Sequence, residues 1–314
     1  MANHAFAFLA SSTFCKVPTL SQRPDAPFAA AGLAWDGCVT NRPGARFGPQ
    51  AIRVASHMLC DATHPLFDTT PLDVLADAGD LALPNTSLVD MRSALEPAAA
   101  ELIAGHHMVW LGGDHSITLS LLRAYHRRLG RPLAVLHFDA HCDTWSDHFG
   151  EPSGHGTWVA EAVEEGLMHA DACVQIGIRS AAERAARDYI PDRGGCLFSA
   201  RDVRGKDGAG LADVIAATHA TLTRHGTDTP VYLSFDIDCL DPSFAPGTGT
   251  PEPGGLSSSQ VLTLLEALCV MPLNWVGMDC VEVSPPYDHA ELSSNMAAHI
   301  VWTYLCARIA AGAN

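Results

Sequence analysis

The fold is decided by a short apolar run, LAVLHFD at residues 133–139, which ends on an aspartate. Strands that are apolar on both faces are typical of a parallel sheet that is covered on both sides. Similar runs recur along the chain and alternate with longer segments of helical pattern. They lie at residues 29–35, 72–77, 107–111, 173–178, 231–237 and 275–281.

The segments between these runs predict the helices that connect one parallel strand to the next. One of them begins with Ser257 and Gln260, a capping-box pattern. The alternation predicts an α/β fold on a mainly parallel sheet. No repeat or linker divides the chain, so we expect a single domain over residues 1–314, with residues 1–25 as an N-terminal extension. The predicted helices lie near 48–58, 88–104, 116–129, 157–166, 210–225, 257–270 and 289–310.

The charge balance is strongly acidic, with 19 Lys and Arg against 35 Asp and Glu and a formal net charge of −16. Such a surface repels phosphate backbones and anionic lipids, so neither a nucleic acid nor a membrane is an expected partner. A small cationic partner is favoured instead.

The ten cysteines are scattered without a C-x-x-C pair, which predicts free, mostly buried thiols in a reducing compartment. No apolar run reaches the length of a membrane span. The apolar first fifteen residues have no Lys or Arg before the apolar run, so no secretory signal is predicted. We therefore expect a cytoplasmic protein.

Histidines and aspartates gather after three of the predicted strands. Residues 112–116 read GGDHS, residues 137–143 read HFDAHCD and residues 234–238 read SFDID. The carboxyl ends of parallel strands meet at one edge of a sheet, where ligands bind. Alternation along an extended chain turns every second side chain to the same face. The candidate metal ligands are four aspartates and two histidines: His115, Asp139, His141, Asp143, Asp236 and Asp238.

A single His or Asp in a loop is usually a solvated or capping residue. Six of them at three strand ends are different, because burying four carboxylates without a cation costs several kcal/mol for each group. Two divalent cations balance four aspartates. Oxygen and imidazole donors suit manganese better than structural zinc, and alternation turns Cys142 and Cys239 away from the site. Two such ions activate a shared water, which indicates hydrolysis.

At these residues the chain resembles the ureohydrolase family of arginases and agmatinases, over almost its whole length. The loop after Asp238 and the stretch at residues 155–157 are most similar to the agmatinase branch. The motifs that carry the resemblance are RPGARFGP at 42–49, GGDHS at 112–116, FDAHCDT at 138–144, SFDIDCLDPSFAPGTGTPEPGG at 234–255 and VGMDCVEVSPPYDHAE at 276–291.

The resemblance implies a three-layer α/β/α sandwich around a parallel sheet of about eight strands. It implies two manganese ions per chain and a homo-oligomer of three or six chains. In the two ligand sets, Asp139 and Asp236 would bridge the ions. One set is His115, Asp139, Asp143 and Asp236, and the other is His141, Asp139, Asp236 and Asp238.

The resemblance also implies the catalytic roles. A hydroxide that bridges the ions would attack the guanidinium carbon, and Asp143 would take its proton and pass it to the departing nitrogen. His155 matches the histidine that exchanges protons with solvent, and Glu282 matches the glutamate that pairs with the guanidinium. Taken without their motifs, His155 would be read as a surface-loop residue and Glu282 equally well as a salt-bridged structural acid.

The substrate tail is predicted from the loop between Asp143 and His155. The arginase branch has asparagines at two positions that are Trp145 and Ser153 here, which weakens an assignment as arginase. The loop contains Asp147 and Glu151 and neither Lys nor Arg. An amine-ended substrate would prefer these acids, so we expect agmatine, giving putrescine and urea, with substrate contacts from the following residues: Glu282, Trp145, Asp147 and Glu151.

Several alternatives stay open. Asp147 and Glu151 could each be a plain solvated residue. The substrate could instead carry a carboxylate, as 4-guanidinobutanoate does, and His148, Arg184 or Arg187 could then be the cation that pairs with it. The RPGARFGPQ segment is also similar to the proclavaminate amidinohydrolase branch. A zinc deacetylase-type amidohydrolase typically uses one zinc, so the second-metal ligands His141 and Asp238 argue against it. A metal-binding protein without activity would need neither His155 nor Glu282.

Overall fold

The architecture is a single eight-stranded sheet, seen in a computed structural model that describes residues 12–312. Every strand pair in it is parallel. The order across the sheet is β2-β1-β3-β8-β7-β4-β5-β6. The strands are β1 (Phe28–Gly32), β2 (Leu75–Asp80), β3 (His107–Leu111), β4 (Leu133–Phe138), β5 (Met168–Ile178), β6 (Cys196–Ser199), β7 (Pro230–Asp236) and β8 (Asn274–Val281).

The seven predicted helices are present, with bounds that differ by a few residues. Two further helices are only four residues long, too short to show a helical period in the sequence. The capping box at Ser257 and Gln260 is confirmed. The helices are α1 (Gly48–Ser56), α2 (Leu88–Gly105), α3 (Ile117–Leu129), α4 (Trp158–Glu164), α5 (Arg184–Arg187), α6 (Ala200–Val203), α7 (Ala212–Leu222), α8 (Ser258–Cys269) and α9 (Leu292–Ala310).

Helices cover both faces of the sheet, so the fold has the three layers that were predicted. The alternation along β4 shows how: Leu133 and Val135 belong to one buried apolar cluster, and Ala134 and Leu136 belong to the other. The first cluster is completed by residues of α2, α3 and α4. The second is completed by residues of α1, α7, α8 and α9. A strand buried on both faces needs the continuous apolar run that the sequence shows.

The prediction of free, mostly buried thiols is confirmed: all ten are free, and all are buried except Cys60 and Cys196. Cys142 and Cys239 lie in the core, as alternation predicts. Within residues 12–312, no helix is both long enough and apolar enough to cross a bilayer. The predicted extension lies partly outside the described residues; inside them, Thr19 forms a bridge with Asp77 of β2. The single-domain organisation remains a prediction.

The order of the strands sets the position of the site. Strands β3, β8, β7 and β4 are consecutive neighbours in the middle of the sheet. Their carboxyl ends lead into His115, Glu282, Asp236 and Asp139, respectively. Residues from four separate parts of the sequence therefore meet at one point on the edge of the sheet, as expected for this class of fold.

Candidate metal centre

The orientation of His115 is set from behind by a buried carboxylate. Asp279 of β8 accepts hydrogen bonds from the hydroxyls of Ser234 (2.8 Å), Tyr232 (2.9 Å) and Thr118 (2.9 Å). The only proton of the Ser234 hydroxyl is used in this bond, so its oxygen accepts from Nε2–H of His115 at 2.8 Å. The other ring nitrogen, Nδ1, is thereby directed into the centre.

Three carboxylates face that nitrogen. Nδ1 of His115 lies 3.1 Å from an oxygen of Asp139, 3.1 Å from one of Asp143 and 3.3 Å from one of Asp236. It is buried, and it has no hydrogen-bond partner among the described residues. A buried nitrogen that faces three carboxylates at these distances, without good hydrogen-bond geometry to any one of them, has the arrangement of a metal ligand.

A second group of donors surrounds His141. Its Nδ1 lies 3.3 Å from Oδ1 of Asp139 and 3.1 Å from Oδ2 of Asp238. The two oxygens of Asp139 therefore face the two groups, Oδ2 towards His115 and Oδ1 towards His141. Asp236 connects the groups in another way, because its Oδ1 accepts from the backbone N–H of Asp238 at 2.8 Å. All six predicted ligands are brought together.

This donor set fits divalent metal ions. In octahedral coordination at about 2.1 Å, adjacent ligand atoms lie about 3 Å apart, close to the separations around His115 and His141. Burial, together with the charges of Asp238 and Asp139, raises the pKa of Asp236 well above its ordinary value. Such crowding of buried negative charge is relieved by a cation. Donors of oxygen and imidazole, without sulfur, favour a hard or borderline ion over structural zinc.

Metal uptake is expected to release protons at neutral pH. Burial alone would lower the pKa of His115 and of His141, but the surrounding carboxylates raise both well above the ordinary value. Both rings are therefore protonated in the metal-free protein below these raised pKa values, and a metal must displace a proton from each ligand nitrogen. Manganese affinity should fall as the pH decreases from 8 to 6. Calorimetry in two buffers of different ionisation enthalpy measures the released protons, and a binding heat that is the same in both would contradict this prediction.

Glu282 and His155 form an ion pair beside the centre. Oε1 of Glu282 accepts from the backbone N–H of His115 at 2.9 Å and from Nδ1 of His155 at 3.0 Å. Its Oε2 is buried and has no hydrogen-bond partner among the described residues. Burial would lower the pKa of His155, but the hydrogen bond and the charge of Glu282 outweigh burial and raise this pKa to about 9. A positively charged ligand would find a buried carboxylate oxygen that is not yet hydrogen-bonded.

Asp143 is held by a residue that the sequence analysis did not identify. Nε1–H of Trp158, at the start of α4, donates to Oδ2 of Asp143 at 2.7 Å. Asp143 itself has a φ of 54°, an uncommon left-handed conformation for a residue other than glycine. The indole bond and the backbone conformation together place this carboxylate beside His115.

A cavity of about 470 Å³ opens from the centre to the surface. Of the four predicted substrate contacts, Trp145 and Asp147 line it, whereas Glu282 is buried and is not among the lining residues. Glu151 is exposed on the same loop and is not among the lining residues. An acid that was not predicted, Glu183, lines the cavity as well. The volume suits a small molecule.

No Lys or Arg is among the described residues that line this cavity. Arg184 and Arg187, which the sequence left as possible cations, pair with Asp188 and are exposed. His148 does line the cavity, but burial and the neighbouring charge of His155 lower its pKa, so the ring is neutral at neutral pH. Two carboxylates, Asp147 and Glu183, are thus left without a cationic neighbour in the lining.

Comparisons with known proteins identify the family of the chain. The model of the arginase family matches residues 26–307. The chain is 42% identical over 287 residues to an agmatinase of Chromobacterium violaceum, covering 88% of this chain and 82% of the relative.

Two solved structures have the same fold. The structure of proclavaminate amidinohydrolase from Streptomyces clavuligerus aligns with a TM-score of 0.87 at 36% identity, covering 97% of this chain and 99% of that one. A hypothetical agmatinase from Burkholderia thailandensis aligns with a TM-score of 0.86 at 35% identity, covering 96% and 91%. The chain therefore belongs to the arginase family and is a ureohydrolase, an enzyme that hydrolyses carbon–nitrogen bonds.

Proposed function

We propose that this enzyme is an agmatinase with two manganese ions, which hydrolyses agmatine to putrescine and urea. The observation that carries the proposal is the charge of the cavity: Asp147 and Glu183 line it, and no Lys or Arg does among the described residues. A substrate with a guanidinium at one end and an ammonium at the other complements carboxylates at both ends. The similarity to agmatinases supports the same assignment.

The residues divide the chemistry between them. When bound, the two ions lower the pKa of a water molecule, which makes it a nucleophile at neutral pH. Glu282 holds the guanidinium by charge-assisted hydrogen bonds and so fixes the position of its carbon. Asp143, positioned by Trp158, accepts the proton of the attacking water and gives it to the departing nitrogen. His155 exchanges protons with solvent through the cavity that it lines.

A second candidate substrate is a guanidino acid such as 4-guanidinobutanoate. The observation in its favour is the similarity to proclavaminate amidinohydrolase, with a TM-score of 0.87. A buried or half-buried carboxylate tail would need a nearby cation. The exposed ion pairs of Arg184 and Arg187 with Asp188 do not supply one, so agmatine ranks first.

The direct test is urea release by the manganese-loaded enzyme from agmatine, 4-guanidinobutanoate, 3-guanidinopropanoate and arginine, measured in parallel. We expect agmatine to have the highest kcat/KM. Asp147→Asn and Glu183→Gln should each raise the KM for agmatine several-fold, because each removes one partner of the ammonium. Glu101→Gln on the exposed side of α2 is the matched control. A preference for 4-guanidinobutanoate would refute agmatine as the substrate and indicate a guanidino acid, while the assignment as a ureohydrolase would stand.

For Glu151, the sequence predicts a substrate contact, whereas the structure places the residue outside the cavity lining. If it contacts the tail, Glu151→Gln should raise the KM for agmatine as strongly as Glu183→Gln does. Its position outside the cavity lining predicts an unchanged KM. The cytoplasmic location, the assembly of three or six chains and the lack of nucleic-acid or membrane partners stay predictions.

A further inference from the structure

His137 is a third histidine at the candidate metal centre, and it is buried. Distances alone do not show whether it is a metal ligand or a hydrogen-bond donor. It precedes Asp139 by two residues, and its side chain is 0% exposed. Its Nε2 lies 2.8 Å from Oδ2 of Asp139, the oxygen that faces His115. Together with His115, Asp139 and Asp143, it forms a compact group of side chains that could hold a metal ion. The ring could therefore ligate an ion or donate a hydrogen bond to the carboxylate.

The side chain of Gln175 decides between these roles. Its Nε2 donates to the backbone carbonyl of Cys142 at 2.8 Å and lies 3.1 Å from Nδ1 of His137. The amide cannot be reversed, because its oxygen would then face the carbonyl oxygen of Cys142. Both amide hydrogens are therefore assigned, one to Cys142 and one to His137.

The tautomer of His137 follows. Because an amide hydrogen points at Nδ1, that nitrogen carries a lone pair and no hydrogen. The single ring hydrogen is then on Nε2, and it points at Oδ2 of Asp139. A nitrogen that carries a hydrogen cannot ligate a metal. His115 is arranged in the opposite sense, with its Nε2–H used by Ser234 and its Nδ1 aimed into the centre.

We propose that His137 is a positioning residue for the shared ligand Asp139 and not a ligand itself, and that Gln175 fixes the tautomer that this role requires. The proposal rests on the proposed two-metal centre. Asp139 is then held from two sides, since its Oδ1 accepts from the backbone N–H of His141 at 2.5 Å. With both oxygens fixed by N–H donors, the carboxylate keeps the orientation in which Oδ2 faces His115 and Oδ1 faces His141, and in that orientation it would be available to both ions.

Trp158 supports the same arrangement. Its ring meets that of His137 edge to face at a centroid distance of 5.0 Å. It also donates to Asp143. Two adjacent carboxylates, Asp139 and Asp143, are thus each held by one neutral N–H donor from a buried aromatic ring.

The first experiment reads the tautomer directly and needs no metal. Long-range proton–nitrogen NMR of the metal-free wild-type protein, with the His137 signals identified from their loss in His137→Phe, distinguishes the protonated from the unprotonated ring nitrogen. We expect hydrogen on Nε2 and none on Nδ1. The opposite assignment would overturn the proposal.

The second experiment counts manganese ions by electron paramagnetic resonance and measures their affinity in His137→Phe, Gln175→Leu and the double variant. Loss of a partner behind a metal ligand typically weakens metal binding by about 10- to 100-fold. We expect that loss in both single variants, with the number of bound ions unchanged from wild type. His137→Gln, which offers an amide N–H to Asp139, should recover part of the affinity.

The double variant tests whether Gln175 acts through His137. If it does, Gln175→Leu has no further effect on affinity once residue 137 is Phe. Loss of one bound ion in His137→Phe, or fully additive losses in the double variant, would overturn the proposal. A wild-type protein that binds no manganese would instead refute the proposed function, and the metal-free NMR spectrum would still decide the tautomer.

Discussion

Asp236→Asn should reduce kcat/KM for urea release by at least about 10³-fold, because a loss of about 4 kcal/mol of transition-state stabilisation corresponds to that factor. The substitution is nearly isosteric. An Asn oxygen can still accept from the backbone N–H of Asp238, so the local backbone keeps its hydrogen bond. What is lost is the negative charge beside Nδ1 of His115. Steady-state kinetics and manganese counting on the same samples measure the effect.

The same substitution should stabilise the metal-free protein. The pKa of Asp236 is raised in the folded state by burial and by the charges of Asp238 and Asp139, so its ionised form is disfavoured there. A carboxyl group whose folded pKa is raised lowers the stability at any pH above its unfolded pKa, which includes neutral pH. The metal-free variant should therefore have a higher Tm than metal-free wild type. Added manganese should raise the Tm of wild type much more than it raises the Tm of the variant.

These opposite effects make the test specific. A variant that is simply misfolded would lose both activity and Tm. Glu266→Gln in α8 is a suitable control for a carboxyl group whose pKa is raised by burial alone, away from the centre. Asp236→Asn with unchanged kcat/KM and full manganese occupancy would refute the role of Asp236 as a ligand.

Much of the fold follows from the sequence because the apolar runs are long and regular. The strand at 133–138 has no polar residue before His137, and such a run is buried on both faces in this class of fold. Strand β6 was not predicted. It is only four residues long, lies at the edge of the sheet and is half-buried along its length, so its pattern resembles that of a loop.

The six candidate metal ligands could be predicted because each stands at or just after a strand end, inside a dense His and Asp motif. The residues that orient these ligands through hydrogen bonds could not be predicted, because their roles depend on contacts between distant parts of the chain. Asp279 acts on His115 through Ser234, and these three residues are far apart in sequence. The one available signal was a polar residue inside an apolar strand, as with Gln175 in CVQIGI and Asp279 in VGMDCV.

The tail of the substrate shows another limit. Asp147 could be predicted as a cavity residue because it lies in the loop between two candidate catalytic motifs. Glu183, which also lines the cavity, lies beyond β5 and next to the arginines that were considered instead. The sequence could not show that Arg184 and Arg187 both pair with Asp188. Which of several neighbouring charges faces a cavity depends on the direction of each side chain, and the loop pattern does not fix that direction.

Glu282→Gln is the second substitution with a large expected effect, a loss of about 10²- to 10³-fold in kcat/KM for agmatine. Truncating one partner of a buried charge pair costs about 3–5 kcal/mol, and part of that is recovered because the Gln oxygen still accepts hydrogen bonds. The backbone N–H of His115 keeps an acceptor, so the loop at residues 112–116 should not move. Manganese counting should therefore match wild type, which separates this variant from Asp236→Asn.

The pH dependence of stability gives a second measurement on the same variant, in the metal-free state. In wild type, Glu282 outweighs burial and raises the folded pKa of His155 to about 9, above the ordinary value of 6.5. A histidine with a raised folded pKa contributes stability that is complete below its unfolded pKa and is lost as the pH rises through the folded pKa. Metal-free wild type should therefore lose stability between pH 6.5 and 9 through this pair. In Glu282→Gln burial dominates, the pKa of His155 falls, and this loss should disappear. An equally steep loss of stability in both proteins would show that Glu282 does not keep His155 protonated. The ion pair of Glu282 and His155 would then explain neither the kinetics nor the pH profile.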